Sequence, residues 1–308
     1  MTAACEVRVL RGGLVESVHE VCVAAVAADG SVLTATDGAA ELPVFLRSAA
    51  KPFQAAPAVA AGVLERFGLD DRHLALACAS HLATPEHVAL AEEMLAAAGL
   101  GEDALQCGPG DDGRAVAHMC SGNHALGLAF CVQEGWPTAS YLEAGHPLQE
   151  AYRVAIAEVA GVTAEEAGDG CGMRAYRVPL GRYAAMFGAL GAAGGALGRC
   201  AASMRAYPEL VRGAGEIDTE LMRAEDGLVA KVGAEATIGV GLADGRGLAV
   251  KAKDGSWRGM EPVAVHALRA VFGVAADGPG LVRHAAPEVA DARGRVVGSV
   301  EARVAFLR

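Results

Sequence analysis

Patterns typical of β-hairpins stand near both ends of the chain and enclose a long helical middle. Near the start, the apolar residues 21–26 and 32–34 flank an Ala-Asp-Gly-Ser turn. Near the end, an Asp-Gly turn precedes a second apolar run, Gly247–Ala252, and residues 296–306 alternate like a terminal strand. Because hairpins join antiparallel strands, we predict an α+β fold in which a largely antiparallel sheet is flanked by helices.

The helical middle begins at Ser48, which opens a pattern that continues to about residue 61. Further helices are predicted from about His124 and from Pro147. Residues 74–79 form a short continuous apolar run, which predicts a buried strand. Ser80 follows this run, so we expect its hydroxyl to emerge at the edge of a sheet.

Composition and charge narrow the class of partner. The net charge of −11 argues against nucleic acid or an anionic membrane surface. The most apolar stretch, residues 184–197, is shorter than the roughly 20 residues that span a bilayer. Residues 1–9 lack the features of a signal peptide and the eight cysteines are scattered singly, so we expect a cytoplasmic protein with reduced thiols. With no linker or repeat, residues 1–308 are predicted to form a single domain.

Ser48 and Lys51 form a Ser-x-x-Lys motif at the start of the first predicted helix. The spacing places a hydroxyl and an amine one helical turn apart, on the same face. A buried lysine can accept the proton of a neighbouring serine and so make it a nucleophile. The alternative is structural: Ser48 caps the helix and Lys51 points to solvent.

Two further pairs of residues could carry chemistry. Ser80 follows an apolar run and could carry chemistry or merely close a strand. Lys251 stands on a late predicted strand, where it needs either a partner or a solvent-facing side. Cys120 precedes a helix start and Cys171 lies in a Gly-rich loop. If the two thiolates meet in space they could bind zinc; otherwise they are two inert cysteines.

Seven segments, in order over nearly the whole chain, together resemble the asparaginase II family, the thermolabile type of L-asparaginase. They are Phe45-Leu-Arg-Ser-Ala-Ala-Lys-Pro-Phe-Gln54, Ala77-Cys-Ala-Ser-His81, Leu105-Gln-Cys-Gly-Pro109, Cys120-Ser-Gly-Asn-His124, Asp169-Gly-Cys171, Lys231-Val-Gly-Ala-Glu235 and Leu248-Ala-Val-Lys251. The resemblance implies a fold related to the serine β-lactamases, usually as a homodimer. It also implies hydrolysis of asparagine to aspartate and ammonia, with no organic cofactor.

The resemblance assigns roles to individual positions of this chain. It implies that Ser48 is the nucleophile and Lys51 its base, and that Ser80 and Lys251 form a second Ser–Lys pair in the same site. Arg47, His124 and Asp169 match its supporting polar positions. We predict that these three residues, with His81 and Asn123, bind a small-molecule substrate. Cys120 and Cys171 match two ligands of a zinc site.

Three departures from the family pattern lie around the presumed substrate pocket. Asn123 stands where the family has a lysine of the zinc site, and an amide oxygen is a poor zinc ligand. Leu82-Ala83 and Gly172-Met173 also replace the usual residues, whereas Ser48 and Lys51 are intact. One hypothesis is therefore hydrolysis of asparagine or a similar small amide; the alternative is a divergent biosynthetic amide or ester hydrolase, or an acyltransferase. A third class, a non-catalytic ligand-binding protein, is opposed by the intact Ser and Lys residues.

Overall fold

The computed structural model describes residues 5–276 and 278–305. The strands in this part of the chain are β1 (Cys5–Arg11), β2 (Leu14–Val26), β3 (Val32–Ala35), β4 (Pro43–Phe45), β5 (Glu165–Gly168), β6 (Arg174–Pro179), β7 (Val229–Gly233), β8 (Thr237–Gly241), β9 (Gly247–Ala252), β10 (Glu288–Ala290) and β11 (Val296–Val304).

Helices fill most of the remaining length. They are α1 (Lys51–Ala60), α2 (Val63–Phe67), α3 (Asp71–Ala77), α4 (Pro85–Ala97), α5 (Ser121–Glu134), α6 (Pro147–Ala160), α7 (Leu180–Ala192), α8 (Gly195–Ala206), α9 (Pro208–Val211), α10 (Ile217–Ala224), α11 (Trp257–Ala267) and α12 (Pro279–Ala285). Short 3₁₀ turns precede several of them, and a π-helical turn, Leu268–Phe272, follows α11.

The chain folds into two compact units, each built from separate stretches of sequence. The first unit comprises Met1–Val44, Pro179–Ala192 and Glu220–Arg308. The second comprises Phe45–Val178 and Ala193–Thr219. A single domain over residues 1–308 stays a prediction.

The first unit contains an eight-stranded sheet. Its strand order is β10-β11-β1-β2-β9-β8-β7, with β3 paired to β2 off this path. Neighbouring strands run antiparallel, including the two predicted hairpins β2–β3 and β8–β9. The α+β prediction is confirmed. The last strand ends at Val304, and residue 306 of the predicted strand lies outside the described residues.

Helices α7 and α11 pack on opposite faces of this sheet. A side chain at Gly247 would overlap the carbonyl oxygen of Ala184 in α7, while Ala252 faces Gly259 of α11. Residues 247 and 252 lie an odd number of positions apart in β9, so their side chains point to opposite faces. This close approach of helix and sheet explains how a chain with only 5% aromatic residues fills its core with small side chains.

The second unit is mainly helical and corrects one of our predictions. Residues 74–79 belong largely to α3 instead of a strand. Asp70 caps this helix by accepting hydrogen bonds from the backbone N–H groups of Arg72 and His73, and the His73 ring accepts the Asp70 N–H in return. A short apolar run fits a buried strand and a buried helix equally well, and here the cap decides for helix.

The Asp70 cap gives a stability prediction. Asp70→Ala removes the acceptor for two N–H groups at the start of α3, and we expect the free energy of unfolding to fall by about 0.5–2 kcal/mol. Urea unfolding followed by circular dichroism measures this. Asp103→Ala removes an exposed carboxylate from a surface turn and serves as control. A smaller loss for Asp70→Ala than for the control would contradict the capping role.

Two further predictions can be compared with the structure directly. Helix α5 begins at Ser121, three residues before the predicted start at His124, and α6 begins at Pro147 as predicted. All eight cysteines are buried free thiols. No helix in the described part of the chain combines the length and hydropathy needed to cross a membrane.

Candidate active site

The Ser48–Lys51 segment lies at the start of α1. Residues Arg47–Ala50 form a 3₁₀ turn that leads directly into the helix, and the N–H of Lys51 bonds to the carbonyl oxygen of Ser48. Lys51 is only 3% exposed. The alternative interpretation, in which Ser48 caps the helix and Lys51 points to solvent, is wrong because Ala50 is the N-cap and Lys51 is buried.

The Lys51 amine contacts the segment that follows α3. Nζ donates to the carbonyl oxygen of Ala79 and to Oγ of Ser80, at 3.2 Å from the latter. Ser80 is 3% exposed, and its own N–H bonds to the carbonyl of Val211. Ser80 therefore follows a helix, and the expectation that it lies at a sheet edge is wrong. The structure nevertheless joins Lys51 to the second serine of the predicted site.

Arg47 and Asp169, both predicted to surround the substrate, bind each other. The Arg47 guanidinium donates Nε and Nη2 to Asp169 in a bidentate pair, with a shortest N–O distance of 2.7 Å. Asp169 also accepts the N–H of Gly170. Arg47 has φ 51°, a left-handed conformation that is costly for a residue with a side chain. The ion pair holds this strained residue immediately before Ser48.

The strain and the ion pair at Arg47 give a second prediction. We expect Asp169→Ala to lower the free energy of unfolding by about 1.5–3 kcal/mol, because the half-buried guanidinium loses its charged acceptor. Urea denaturation measures the change. Glu165→Ala breaks the more exposed pair between Glu165 and Arg177 and should cost less than about 1 kcal/mol. Equal losses in the two variants would show that Asp169 has no special role.

His81 lies inside the same unit with both ring nitrogens engaged. Nδ1 accepts the N–H of Ala83, and Nε2 lies 3.0 Å from Oγ of Ser121. Since Ser121 donates its own hydroxyl proton to the carbonyl of Val116, Nε2 of His81 is the donor. Burial, aided by the charges of His87 and Lys51, lowers the pKa of His81 to about 3. His81 is thus a neutral, fully hydrogen-bonded residue.

Asn123 and His124, in the first turn of α5, each bury one polar atom without a partner. Asn123 donates Nδ2 to the carbonyl of Ala77 at 3.1 Å, while its Oδ1 has no described partner. His124 bonds through Nδ1 to the Tyr141 hydroxyl at 2.6 Å, and its Nε2 has no described partner. Burial lowers the pKa of His124 to about 3, with Cys120 raising it and Lys51 lowering it by smaller amounts. These unsatisfied atoms are costly unless a ligand or water completes them.

Cys120 and Cys171 meet in space. Their thiols share a hydrogen bond, and this bond is the largest cause that holds the pKa of Cys120 well below its usual range. The nearby charge of Lys51 and the imidazole of His118 lower this pKa further. The pKa of Cys171 is raised correspondingly, first by its bond to Cys120 and then by burial. The pairing that a shared zinc site requires is therefore present.

The ligand set for zinc is incomplete in this arrangement. Two sulfurs suit zinc, but a zinc ion takes four ligands and Asn123 turns its amide nitrogen to the Ala77 carbonyl. Among residues 5–276 and 278–305, no three His, Cys, Asp or Glu side chains converge as a metal-binding group. Cys120 and Cys171 therefore supply two of the four ligands that a structural zinc site needs, and we derive no chemical step from such a site.

Lys251 lies in the first unit, on β9 opposite Cys22 of β2. Its amine donates to the carbonyl oxygens of Glu235, at 2.6 Å, and Ala252. Burial lowers the pKa of Lys251, while Glu235 and Asp254 act in the opposite direction. Ser80 belongs to the second unit, and its pairing with Lys251 stays a prediction.

A cavity of about 490 Å³ lies beside His81 in the second unit. Leu82, Asp111, His118 and Met119 contribute to its lining. Leu82 and Met119 are each 50% exposed, so the cavity presents two large apolar side chains, and Leu82 is one of the departures from the family pattern. A second groove of similar volume between α1, α6 and α8 is almost wholly apolar and contains none of the predicted site residues.

Two residues of this site were not predicted from the sequence. Tyr141 holds the His124 ring, and His118 contacts the thiols of Cys107 and Cys120. His118 could have been suspected from its position two residues before Cys120. Nothing in the local sequence distinguishes Tyr141 from an ordinary core tyrosine.

The model of the L-asparaginase II family matches residues 7–302, so the chain belongs to this family of amidohydrolase enzymes. The family prediction is confirmed. No curated protein sequence matches the chain. A solved structure described as the crystal structure of Mglu in its native form is similar at 16% identity, with a TM-score of 0.47. The match covers 82% of this chain and 63% of that one.

Proposed function

We propose that the chain hydrolyses the side-chain amide of asparagine, or of a similar small molecule, through an acyl-enzyme on Ser48 with Lys51 as general base. One observation carries the proposal: Lys51 is buried, three residues after Ser48, with its amine bonded to a second serine. A lysine with an unspecialised structural role stays at the surface with its charge in water. Membership of the L-asparaginase II family supports the same reaction class.

The hydrogen bonds of Lys51 suit the proposed proton transfer. A neutral amine has two N–H donors and one lone pair. In the neutral form that the mechanism requires, the two donors would match the Ala79 carbonyl and Ser80 Oγ and leave the lone pair for the proton of Ser48. Ser48 Oγ bonds to the amide carbon as Lys51 takes its proton. The C–N bond then breaks, Lys51 returns the proton to the departing nitrogen, and ammonia leaves. Water hydrolyses the ester and restores Ser48.

Ser80 is a second candidate for the nucleophile. Within the described residues, Lys51 donates to Ser80 and to Ala79 and not to Ser48. In the first mechanism Ser80 relays protons or orients the substrate together with Lys251. Single substitutions of the two serines distinguish these mechanisms.

A second candidate substrate class follows from the cavity beside His81. Leu82 and Met119 favour an acyl group that is less polar than that of asparagine, as in a biosynthetic amide or ester hydrolase or an acyltransferase. Ammonia release from L-asparagine supports the first class. Turnover of apolar amides or esters, with no ammonia from millimolar asparagine, supports the second. Mass spectrometry of the peptide containing Ser48, after denaturation during turnover, locates the acyl group in either case.

Zinc bound by Cys120 and Cys171, a homodimer and a cytoplasmic location complete the proposal. If zinc binds, metal analysis of the purified protein finds about one equivalent per chain, and Cys120→Ala or Cys171→Ala removes it. Cys200→Ala, in which a buried thiol of α8 is lost, leaves the zinc content unchanged. Zinc far below one equivalent in the wild type refutes the site. Analytical ultracentrifugation tests the homodimer.

A further inference from the structure

His124 presents one ring nitrogen to a partner and leaves the other free. The imidazole is fully buried, and Nδ1 lies 2.6 Å from the Tyr141 hydroxyl. Nε2, on the far side of the ring, has no hydrogen-bond partner among the described residues. The neighbouring Asn123 donates to the carbonyl of Ala77. Lys51 bonds to Ala79 and Ser80, two and three residues further along the chain, so the first turn of α5 and the proposed base contact the same short segment.

The hydrogen bonds of Tyr141 determine which nitrogen of His124 carries the proton. The Tyr141 oxygen already accepts the backbone N–H of Gln106 at 2.9 Å. If Nδ1 of His124 also donated to this oxygen, the fully buried phenolic proton would have no described acceptor. The hydroxyl therefore donates to Nδ1, and the proton of the neutral imidazole resides on Nε2. The free ring atom is a hydrogen-bond donor.

We propose that Nε2–H of His124 donates to the carbonyl oxygen of the amide under attack, and that Tyr141 is a positioning residue that fixes the tautomer required for this. The inference rests on the proposed function. A neutral imidazole can stabilise the negative charge that develops on this oxygen without giving up its proton. Burial keeps the ring neutral and excludes the water that would otherwise compete for the donor.

The tautomer can be tested on the free protein, without substrate. In ¹⁵N NMR spectra of histidine-labelled protein, we expect Nε2 of His124 to be protonated and Nδ1 to be unprotonated. The resonances of His124 are assigned by their absence in His124→Gln. Tyr141→Phe removes the hydroxyl donor and should give a mixture of tautomers. A proton on Nδ1 in the wild type would overturn the inference.

Kinetics test the contact with the carbonyl oxygen. His124→Ala should lower kcat by about 10²- to 10³-fold, the usual effect of one lost oxyanion donor, with little change in KM. His124→Gln keeps a side-chain N–H and should retain more activity. Tyr141→Phe should lower kcat by about tenfold through the loss of the correct tautomer. Tyr176→Phe is the matched control, since this buried hydroxyl has no partner among the described residues and its removal should leave kcat unchanged.

The outcomes separate this inference from the proposed function. If the wild type releases no ammonia from asparagine and the screen for amides and esters yields no substrate, the proposed function fails, while the NMR spectra still decide the tautomer. If the wild type is active but His124→Ala raises KM with unchanged kcat, His124 binds another part of the substrate and the assignment to the carbonyl oxygen is wrong. Equal kcat values for His124→Ala and the wild type would overturn it entirely.

Discussion

Ser48→Ala is expected to reduce amide hydrolysis by about 10⁴- to 10⁶-fold, the range observed when a member of a catalytic serine group is removed. Ser48 lies in a 3₁₀ turn between the strained Arg47 and the buried Lys51, and its side chain loses only one oxygen in the substitution. The fold should therefore remain intact. Measurement of kcat/KM for ammonia release, with circular dichroism to verify folding, tests the prediction.

Two other serine variants test whether Ser48 is the nucleophile. Ser80→Ala removes the hydroxyl that accepts from Lys51, and we expect a smaller loss than in Ser48→Ala together with a retained acyl adduct on Ser48. Ser203→Ala removes a buried hydroxyl of α8 that has no hydrogen-bond partner among the described residues, and should keep full activity. If instead Ser48→Ala stays active while Ser80→Ala is inactive, Ser80 is the nucleophile.

Local sequence was sufficient to predict the elements whose signals are themselves local. The hairpins β2–β3 and β8–β9 follow from Gly-containing turns between apolar runs, and α6 follows from its initial proline. Helix α3 was predicted wrongly as a strand. The six apolar or small residues at 74–79 do not reveal whether their period is two or 3.6, and the Asp70–His73 cap decides for helix.

The same distinction between local and long-range features applies to the candidate site. The Ser48–Lys51 spacing is a local feature and could be read directly. The contacts of Lys51 with Ser80 and of Arg47 with Asp169 join residues 29 and 122 positions apart, which only the tertiary fold brings together. For these pairs, the family resemblance supplied the candidate residues, but it did not reveal that Arg47 and Asp169 neutralise each other. The partner of His124 was missed for the same reason, since Tyr141 follows 17 residues later with no sequence signal.

Lys51→Met is expected to lower kcat by about 10²- to 10⁴-fold, the contribution usual for general base catalysis. Methionine fills a similar volume in the buried site but provides neither a lone pair for the Ser48 proton nor donors for Ala79 and Ser80. Lys51→Arg should be equally inactive, because a guanidinium keeps its charge in proteins and cannot accept a proton. Lys253→Met, which replaces an exposed lysine paired with Glu20, is the matched control and should retain wild-type kcat.

Stability and rescue distinguish a lost base from a damaged fold. In Lys51→Met the buried Ala79 carbonyl loses a donor, so a loss of about 1–3 kcal/mol in unfolding free energy should accompany the loss of activity. Lys51→Ala leaves space for a small primary amine, and added methylamine should restore part of its kcat if the amine acts as the base. No rescue, together with a variant kcat within tenfold of the wild type, would remove Lys51 from the mechanism. Rescue of Lys51→Ala but not of Ser48→Ala would assign the proton transfer to the amine and the attack to the hydroxyl.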